Sequence, residues 1–108
     1  MIEPNSFQKK CIEDLRKKLR RFGVNNLEFT IKEELEWYPG TRALVEASVN
    51  DLKIWIYADG AHIRGTDVNM PFEALDYATE EELIAAFTEK VVVLMRKNHP
   101  GSKRQKNQ

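Results

Sequence analysis

The chain has 108 residues, a single cysteine and equal numbers of acidic and basic side chains, 17 of each. This length allows one hydrophobic core, and one cysteine excludes an internal disulfide and a cysteine-rich zinc site. No charged-then-apolar leader and no apolar run near the roughly 20 residues of a membrane span occurs, which predicts a soluble, cytoplasmic protein.

Charge is distributed unevenly along the chain. Residues 1–22 hold seven Lys/Arg against three Asp/Glu, and residues 91–108 hold five against none. Residues 66–90 hold one against seven. Cations favour helix C-termini and anions favour helix N-termini, so two helices account for much of this pattern. It also leaves basic ends and an acidic middle as candidate binding surfaces.

An amphipathic helix is predicted over Phe7 to Phe22. Asn5 or Ser6 can cap its start, and Gly23 can end it in the left-handed conformation. Apolar side chains recur at spacings of three and four, at Phe7, Cys11, Leu15, Leu19 and Phe22. Cys11 lies on this stripe, which predicts a buried small hydrophobe rather than a nucleophile.

Strand 1 is predicted to begin at Leu27, where apolar and polar residues alternate. The inward residues of that alternation are Leu27, Phe29 and Ile31. Pro39-Gly40 supplies the turn into strand 2. A three-residue loop places Trp37 opposite Ala43 on the core face, whereas a two-residue loop sends Trp37 to the other face. We favour the first, with Glu33 displaced by a bulge or lying beyond the sheet.

The clearest strand, Leu52 to Ala58, lies between the turn dipeptides Asn50-Asp51 and Asp59-Gly60. The first turn is predicted to pair Val49 with Leu52, Ala47 with Ile54, Val45 with Ile56 and Ala43 with Ala58. The second turn places Ile56 opposite Ile63. One face of these strands is then wholly apolar and forms the core. The opposite face carries Leu44, Glu46, Ser48, Lys53, Trp55, Tyr57, His62 and Arg64.

Residues 65–77 are predicted to form a surface connection held by a few apolar anchors. These anchors are Val68, Met70, Phe72 and Leu75, with a further short strand possible near Val68 to Phe72.

A second helix is predicted from Glu80 to Asn98, with Thr79 and Glu82 as a capping box. His99-Pro100-Gly101 ends it. Residues 1–98 then form a single domain, and residues 99–108 form a flexible basic tail with nothing to bury.

The element order is α-β-β-β-α, with a possible fourth strand. It predicts an α+β fold: a two-layer sandwich with an antiparallel sheet, both helices on one face and the other face open. This order resembles the double-stranded RNA-binding domain. In that family the second helix starts with a lysine-rich motif that straddles phosphates, but here the matching stretch is Thr79-Glu80-Glu81-Glu82, of opposite sign.

Three short motifs carry a second resemblance. They are W-I-Y-A-D-G-A from Trp55, F-E-A-L-D-Y from Phe72 and T-E-E-E-L-I-A-A-F from Thr79. Together they resemble small bacterial proteins encoded beside toxins or on mobile elements, where such a domain acts as an immunity protein or inhibitor. The resemblance implies a non-enzymatic protein that binds another protein.

No residue set in the sequence specifies a reaction. The two histidines, His62 and His99, have no spacing that offers a metal two ligands on one element. No nucleophile elbow, glycine-rich phosphate loop or distinct carboxylate pair occurs. We therefore predict no catalytic residue, no metal and no cofactor.

The open sheet face and the acidic connection are predicted to contact a protein partner, with the chain acting as a monomer or homodimer. Aromatic and charged side chains of this kind are enriched at binding hot spots, although cross-strand aromatic pairs also stabilise sheets without a partner. The predicted contact residues are Leu44, Glu46, Trp55, Tyr57, His62 and Arg64 on the sheet, and Asp67, Glu73 and Asp76 on the connection. Tyr57 is expected opposite His62, and Trp55 opposite Arg64 or Glu46.

The alternative function is a nucleic-acid-associated module that uses the basic ends of the chain. Its candidate residues are Lys17, Lys18, Arg20 and Arg21 of helix 1, and Lys103 and Arg104 of the tail. This alternative ranks second because the acidic middle repels phosphate and zero net charge gives no general attraction to it.

Overall fold

The structure, a computed structural model, describes residues 2–35 and 41–97. Its elements are α1 (Ser6–Arg20), β1 (Thr30–Leu35), β2 (Thr41–Val49), β3 (Leu52–Ile56), β4 (Gly60–Gly65), β5 (Val68–Glu73), a short 3-10 helix (Ala74–Asp76) and α2 (Glu80–Lys97). The strands form one antiparallel sheet in the order β1-β2-β3-β4-β5. Both helices bury apolar side chains against one face of it. The α+β class is confirmed, with five strands in place of the three or four expected.

The ends of α1 follow from local sequence. The Asn5 side chain accepts a hydrogen bond from the Gln8 backbone N–H at 2.8 Å, and the Gln8 side chain accepts one from the Asn5 N–H at 2.8 Å. Gly23 has a positive φ of 87°, as expected after a helix C-terminus. The helix ends at Arg20, two residues before the predicted Phe22, and the Phe22 side chain is 46% exposed. Phe22 therefore lies outside the core stripe.

The β2–β3 register is confirmed around the first turn. Val49 pairs with Leu52, Ala47 with Ile54 and Val45 with Ile56. Asn50 has a φ of 54°, a left-handed conformation that asparagine adopts more readily than most residues. The predicted face assignment is also confirmed, because Ile54 and Ile56 are fully buried whereas Lys53 is exposed.

The predicted pair between Ala43 and Ala58 is wrong. The β2–β3 ladder ends at Ile56, and the Gln8 amide lies at its end. Gln8 Nε2 donates to the carbonyl oxygens of Ala43 at 2.7 Å and Ile56 at 3.0 Å. Asn5 Nδ2 also donates to the Ala58 carbonyl at 2.9 Å. Side chains at the start of α1 thus donate hydrogen bonds to carbonyl groups at the end of the β2–β3 ladder, where a longer ladder would have continued.

The predicted β3–β4 register is wrong by two residues. Ile63 lies opposite Ile54 rather than Ile56, because the turn falls at residues 58–59 instead of 59–60. Gly60 belongs to β4, where a Cβ would lie 2.7 Å from the Phe72 carbonyl oxygen. This glycine therefore permits close approach of β5 rather than a turn. A shift of two residues preserves the faces of both strands.

The β1–β2 hairpin also differs from expectation. Ala43 pairs with Glu33, so Glu33 occupies a regular position in the ladder and no bulge displaces it. Trp37 and the Pro39-Gly40 turn lie outside the described residues. Ile31 sits on this outermost strand and is 45% exposed, so the buried core does not reach that edge of the sheet.

The predicted connection contains β5, which confirms the further strand near Val68. Phe72 is buried and meets Phe87 edge-on, with ring centroids 5.6 Å apart. Leu75 was expected to be an anchor, but it is 95% exposed on the 3-10 helix. That short helix begins directly after β5 and carries Leu75 away from the core.

The two helices run parallel to one another. Near their starts, Lys10 Nζ lies 3.0 Å from Glu80 Oε1. Near their ends, the Arg96 guanidinium lies 5.0 Å from the Phe22 ring centroid. Between the helices and the sheet lies the core, whose fully buried members include Leu15, Leu19, Val45, Ile54, Ile56, Ile63, Phe87 and Val91.

The start of α2 is capped nearly as predicted. Thr79 Oγ1 accepts a hydrogen bond from the Glu82 N–H at 3.1 Å. The Glu82 carboxylate accepts from the Ala78 N–H at 3.3 Å, one residue earlier than a capping box requires. The predicted end at Asn98 and the basic tail lie outside the described residues.

Candidate functional site

The sheet face opposite the helices is centred on an aromatic row. In this row Glu46, Trp55, His62 and Pro71 are cross-strand neighbours on β2 to β5. Trp55 Nε1 donates to Glu46 Oε2 at 3.0 Å, and the Trp55 and His62 rings meet edge-on with centroids 5.7 Å apart. The expected pairing of Trp55 with Glu46 is confirmed. The pairings of Tyr57 with His62 and of Trp55 with Arg64 are wrong, because the β3–β4 turn falls one residue earlier.

Polar contacts also hold Glu46 and His62 in this row. His62 Nε2 lies 2.5 Å from Asn69 Oδ1, and Lys32 Nζ lies 3.2 Å from Glu46 Oε1. The hydrogen bond from Trp55 lowers the pKa of Glu46, and Lys32 lowers that pKa further against the opposing effect of burial. Glu46 is therefore ionised at neutral pH. These contacts position the Trp55 and His62 rings within the sheet face.

The aromatic row is partly accessible. Trp55, His62, Tyr57 and Leu44 are half-buried, whereas Arg64 is exposed. A depression of about 390 Å³ adjoins the row at the β4–β5 edge. Its lining includes Tyr57, Asp59, His62, Pro71, Glu73 and Leu75. Sequence reasoning missed Pro71 and Leu75, because it assigned residues 65–77 to a connection rather than to the edge of the sheet.

The predicted acidic connection does not form one cluster. Glu73 lies opposite Gly60 at the depression, and Asp76 follows on the 3-10 helix. Asp67 lies in the turn before β5, at the opposite end of that strand from Glu73. A strand rises about 3.3 Å per residue, so the two residues are about 20 Å apart. All three carboxylates are exposed. Only Glu73 and Asp76 can therefore act together with the depression.

The cations predicted for nucleic acid are partly engaged within the fold. Lys18 Nζ lies 3.0 Å from Asp14 Oδ2 and 2.8 Å from Thr88 Oγ1, which places it between the helices. Lys17, Arg20 and Arg21 are exposed and form no ion pair within the described chain. Lys103 and Arg104 lie outside the described residues.

Two further features bear on chemical reactivity: the thiol of Cys11 and the side chains that could ligate a metal ion. Cys11 is fully buried, and burial raises the pKa of its thiol to about 12. The thiol is therefore protonated and inaccessible. Across residues 2–35 and 41–97, no group of three or more His, Cys, Asp or Glu side chains could hold a metal ion.

Comparison of the chain with protein-family models, curated proteins and solved structures found no match. Within the described residues, neither helix is long and apolar enough to cross a membrane.

Proposed function

We propose that the protein is a non-enzymatic module that binds another protein through its open sheet face, as immunity and inhibitor proteins do. The observation that supports this most is the Trp55–His62 pair on a face that no described element covers. Tryptophan is enriched at binding hot spots because it combines a large apolar surface with one polar edge. Here the polar edge is already satisfied by Glu46, so the ring can contact an apolar group without losing a hydrogen bond.

The exposed Leu75 adds a second argument. Cross-strand contacts stabilise the sheet and so account in part for Trp55 and His62. They give no reason for a leucine that is 95% exposed beside the depression. An apolar side chain next to an aromatic row and flanked by Glu73 is the composition of an interface, with an apolar centre and a polar rim.

The nucleic-acid alternative receives less support from α1. Lys10 and Lys18 pair with the carboxylates of Glu80 and Asp14, and Lys9 forms a longer, exposed pair with Glu3. The candidate cations Lys17, Arg20 and Arg21 remain exposed and form no ion pair within the described chain. Phosphate binding requires cations that can exchange counterions for phosphate, and paired lysines contribute less to it.

Site-specific photo-crosslinking in the source organism tests the proposal. A photoreactive amino acid replaces Leu75 beside the depression or, as the matched control, Lys17 on α1. We expect the Leu75 position alone to form an adduct with one protein, and we expect Trp55→Ala to remove that adduct. Adducts from the Lys17 position alone would contradict the proposal.

Trp55→Ala must also leave the fold intact for this comparison to be valid. The side chain lies outside the core, so we expect its thermal midpoint to stay within a few degrees of wild type, and the same for Tyr57→Ala. Calorimetry provides that check. A large loss of stability would assign Trp55 to folding and leave Glu73, Asp76 and Leu75 as the contact residues.

A further inference from the structure

Two cations face each other on the open sheet face without an acidic partner. Lys53 of β3 lies directly opposite Arg64 of β4, on the same face as Trp55 and one row away from it. Both side chains are exposed, and neither forms an ion pair within the described chain. Like charges directly opposite on neighbouring strands destabilise a sheet. The Lys53–Arg64 pair therefore lowers the stability of the free protein.

No carboxylate of the described chain forms an ion pair with Lys53 or Arg64. In the same row Ser48 and Asn69 are uncharged, and Glu28 lies farther along, in a depression that Ser48 and Lys53 also line. Glu46 in the next row interacts with Lys53 over a longer distance, but its carboxylate oxygens already contact Trp55 and Lys32. A carboxylate supplied from outside the chain would meet two unpaired cations at once.

We propose that the protein partner docks an acidic segment on the open face, with a carboxylate bound between Lys53 and Arg64. This inference rests on the proposed function. Opposite side chains on paired strands have Cβ atoms about 5 Å apart, so one carboxylate can reach both cations. The Arg64 guanidinium offers a planar fork to both oxygens, and Lys53 adds a point charge. An apolar neighbour of that carboxylate then contacts Trp55 and His62.

The charge distribution along the face favours a protein segment over a nucleic acid. Asp59 and Glu73 lie at the depression toward one end of the strands, and Asp51 and Asp67 lie in the turns beyond Lys53 and Arg64 at the other. A phosphate backbone that followed the strands would meet these carboxylates at both ends, and they repel it. A short segment with a single localised carboxylate can be placed between Lys53 and Arg64.

The first experiment needs no ligand. Replacing Arg64 with Glu converts the repulsive pair into an attractive one and leaves the interaction of Lys53 with Glu46 in place, so we expect the thermal midpoint to rise by about 2 to 6 °C. The matched control, Arg64→Gln, removes the repulsion without adding an ion pair and should fall between the two. A midpoint for Arg64→Glu at or below that of wild type would overturn the inference.

The second experiment is an NMR titration with acetylated, amidated hexapeptides at millimolar concentration. In one peptide Leu alternates with Glu, and in the control peptide Leu alternates with Gln. We expect the Glu peptide to shift the resonances of Lys53, Arg64 and the Trp55 indole, and we expect Lys53→Glu or Arg64→Glu to abolish these shifts. A separate titration uses oligothymidylate.

Several outcomes would overturn the inference: no shift, equal shifts with the Gln peptide, shifts confined to α1, or shifts with oligothymidylate only. The photo-crosslinked adduct separates this inference from the proposed function. Loss of the adduct in Trp55→Ala but not in Lys53→Glu would keep the open face as an interface and reject the acidic segment. Persistence of the adduct in both variants would reject both proposals.

Discussion

At the scale of single residues, the Gln8 amide joins three elements. It is 1% exposed and contacts the Asn5 N–H, the Ala43 carbonyl and the Ile56 carbonyl. Helical periodicity gives no signal for this role, because the two carbonyl groups lie 35 and 48 residues further along the chain. A buried polar group whose hydrogen bonds are all made fixes the position of α1 on the end of the sheet.

Gln8→Met tests this role with little change in side-chain shape. The substitution leaves the carbonyl groups of Ala43 and Ile56 without their donor, so we expect a loss of about 2 to 4 kcal/mol in the free energy of unfolding. Lys9→Ala, at the exposed neighbouring position, should change it by less than about 0.5 kcal/mol. Urea unfolding measures both, and equal values would contradict the role of Gln8.

Ile56→Ala tests the assignment of the sheet faces. Ile56 is fully buried, and the substitution removes apolar contacts and leaves a cavity. We expect a loss of about 2 to 5 kcal/mol in the free energy of unfolding. The control Lys53→Ala removes an exposed side chain on the opposite face and should cost little. A loss below about 0.5 kcal/mol for Ile56→Ala would mean that the faces are reversed.

At the scale of elements, a polar contact joins the parallel helices. Thr88 is fully buried, and its Oγ1 lies 2.8 Å from Asp14 Oδ2 and 2.8 Å from Lys18 Nζ. Burial by itself would raise the pKa of Asp14, but hydrogen bonds from Thr88 and Lys18 and the charges of Lys18 and Lys17 outweigh it and lower that pKa. This contact fixes the helices relative to each other.

The lowered pKa predicts how the stability of this contact depends on pH. Ionised Asp14 stabilises the fold above the unfolded-state pKa, about 3.9, and that stabilisation is lost as pH falls through the lower folded-state pKa. We therefore expect Asp14→Asn to cost about 1 kcal/mol at neutral pH and much less near pH 2. Urea unfolding at both pH values checks this, with the exposed Glu13→Gln as control. A cost that does not change with pH would contradict it.

At the scale of the whole molecule, the charges divide between surfaces. Exposed cations without ion pairs lie at the end of α1, at Lys17 and Arg20 and at Arg21 directly after it, while α2 begins with three glutamates. The lysines nearest α2 are paired with its carboxylates, as in Lys10 with Glu80. Two lysines of the basic cluster, Lys10 and Lys18, therefore join the helices and contribute less to an external patch.

This arrangement predicts weak binding to duplex RNA or DNA at physiological ionic strength. We expect little association by fluorescence anisotropy, and no change when Ser102 to Gln108 is removed. The control variant carries Lys17→Glu, Arg20→Glu and Arg21→Glu together, which should abolish any residual binding at low salt. Tight, salt-sensitive binding that falls in either variant would instead favour the nucleic-acid alternative.

The sequence by itself determined both helices, the turn at Asn50 and the buried faces of the central strands. These features depend on the spacing of apolar residues and on the side chains at helix and strand ends, which are local properties. The aromatic face could be predicted for the same reason. The predicted face of each residue on β3 and β4 is correct even though the predicted register between these strands is wrong. A shift of two residues preserves the alternation of side chains between the two faces.

Only the tertiary structure decided which residues of β4 and β5 lie beside β3 on that face. The opposition of Lys53 to Arg64 depends on the turn falling at residues 58–59, a register that also brings Gly60 close to the Phe72 carbonyl. The burial of Gln8, the exposure of Leu75 and the placement of Lys18 between helices likewise depend on residues remote in sequence. Apolar periodicity assigns a residue to a face, but it does not specify which polar groups meet there, because those contacts form only when separate elements pack together.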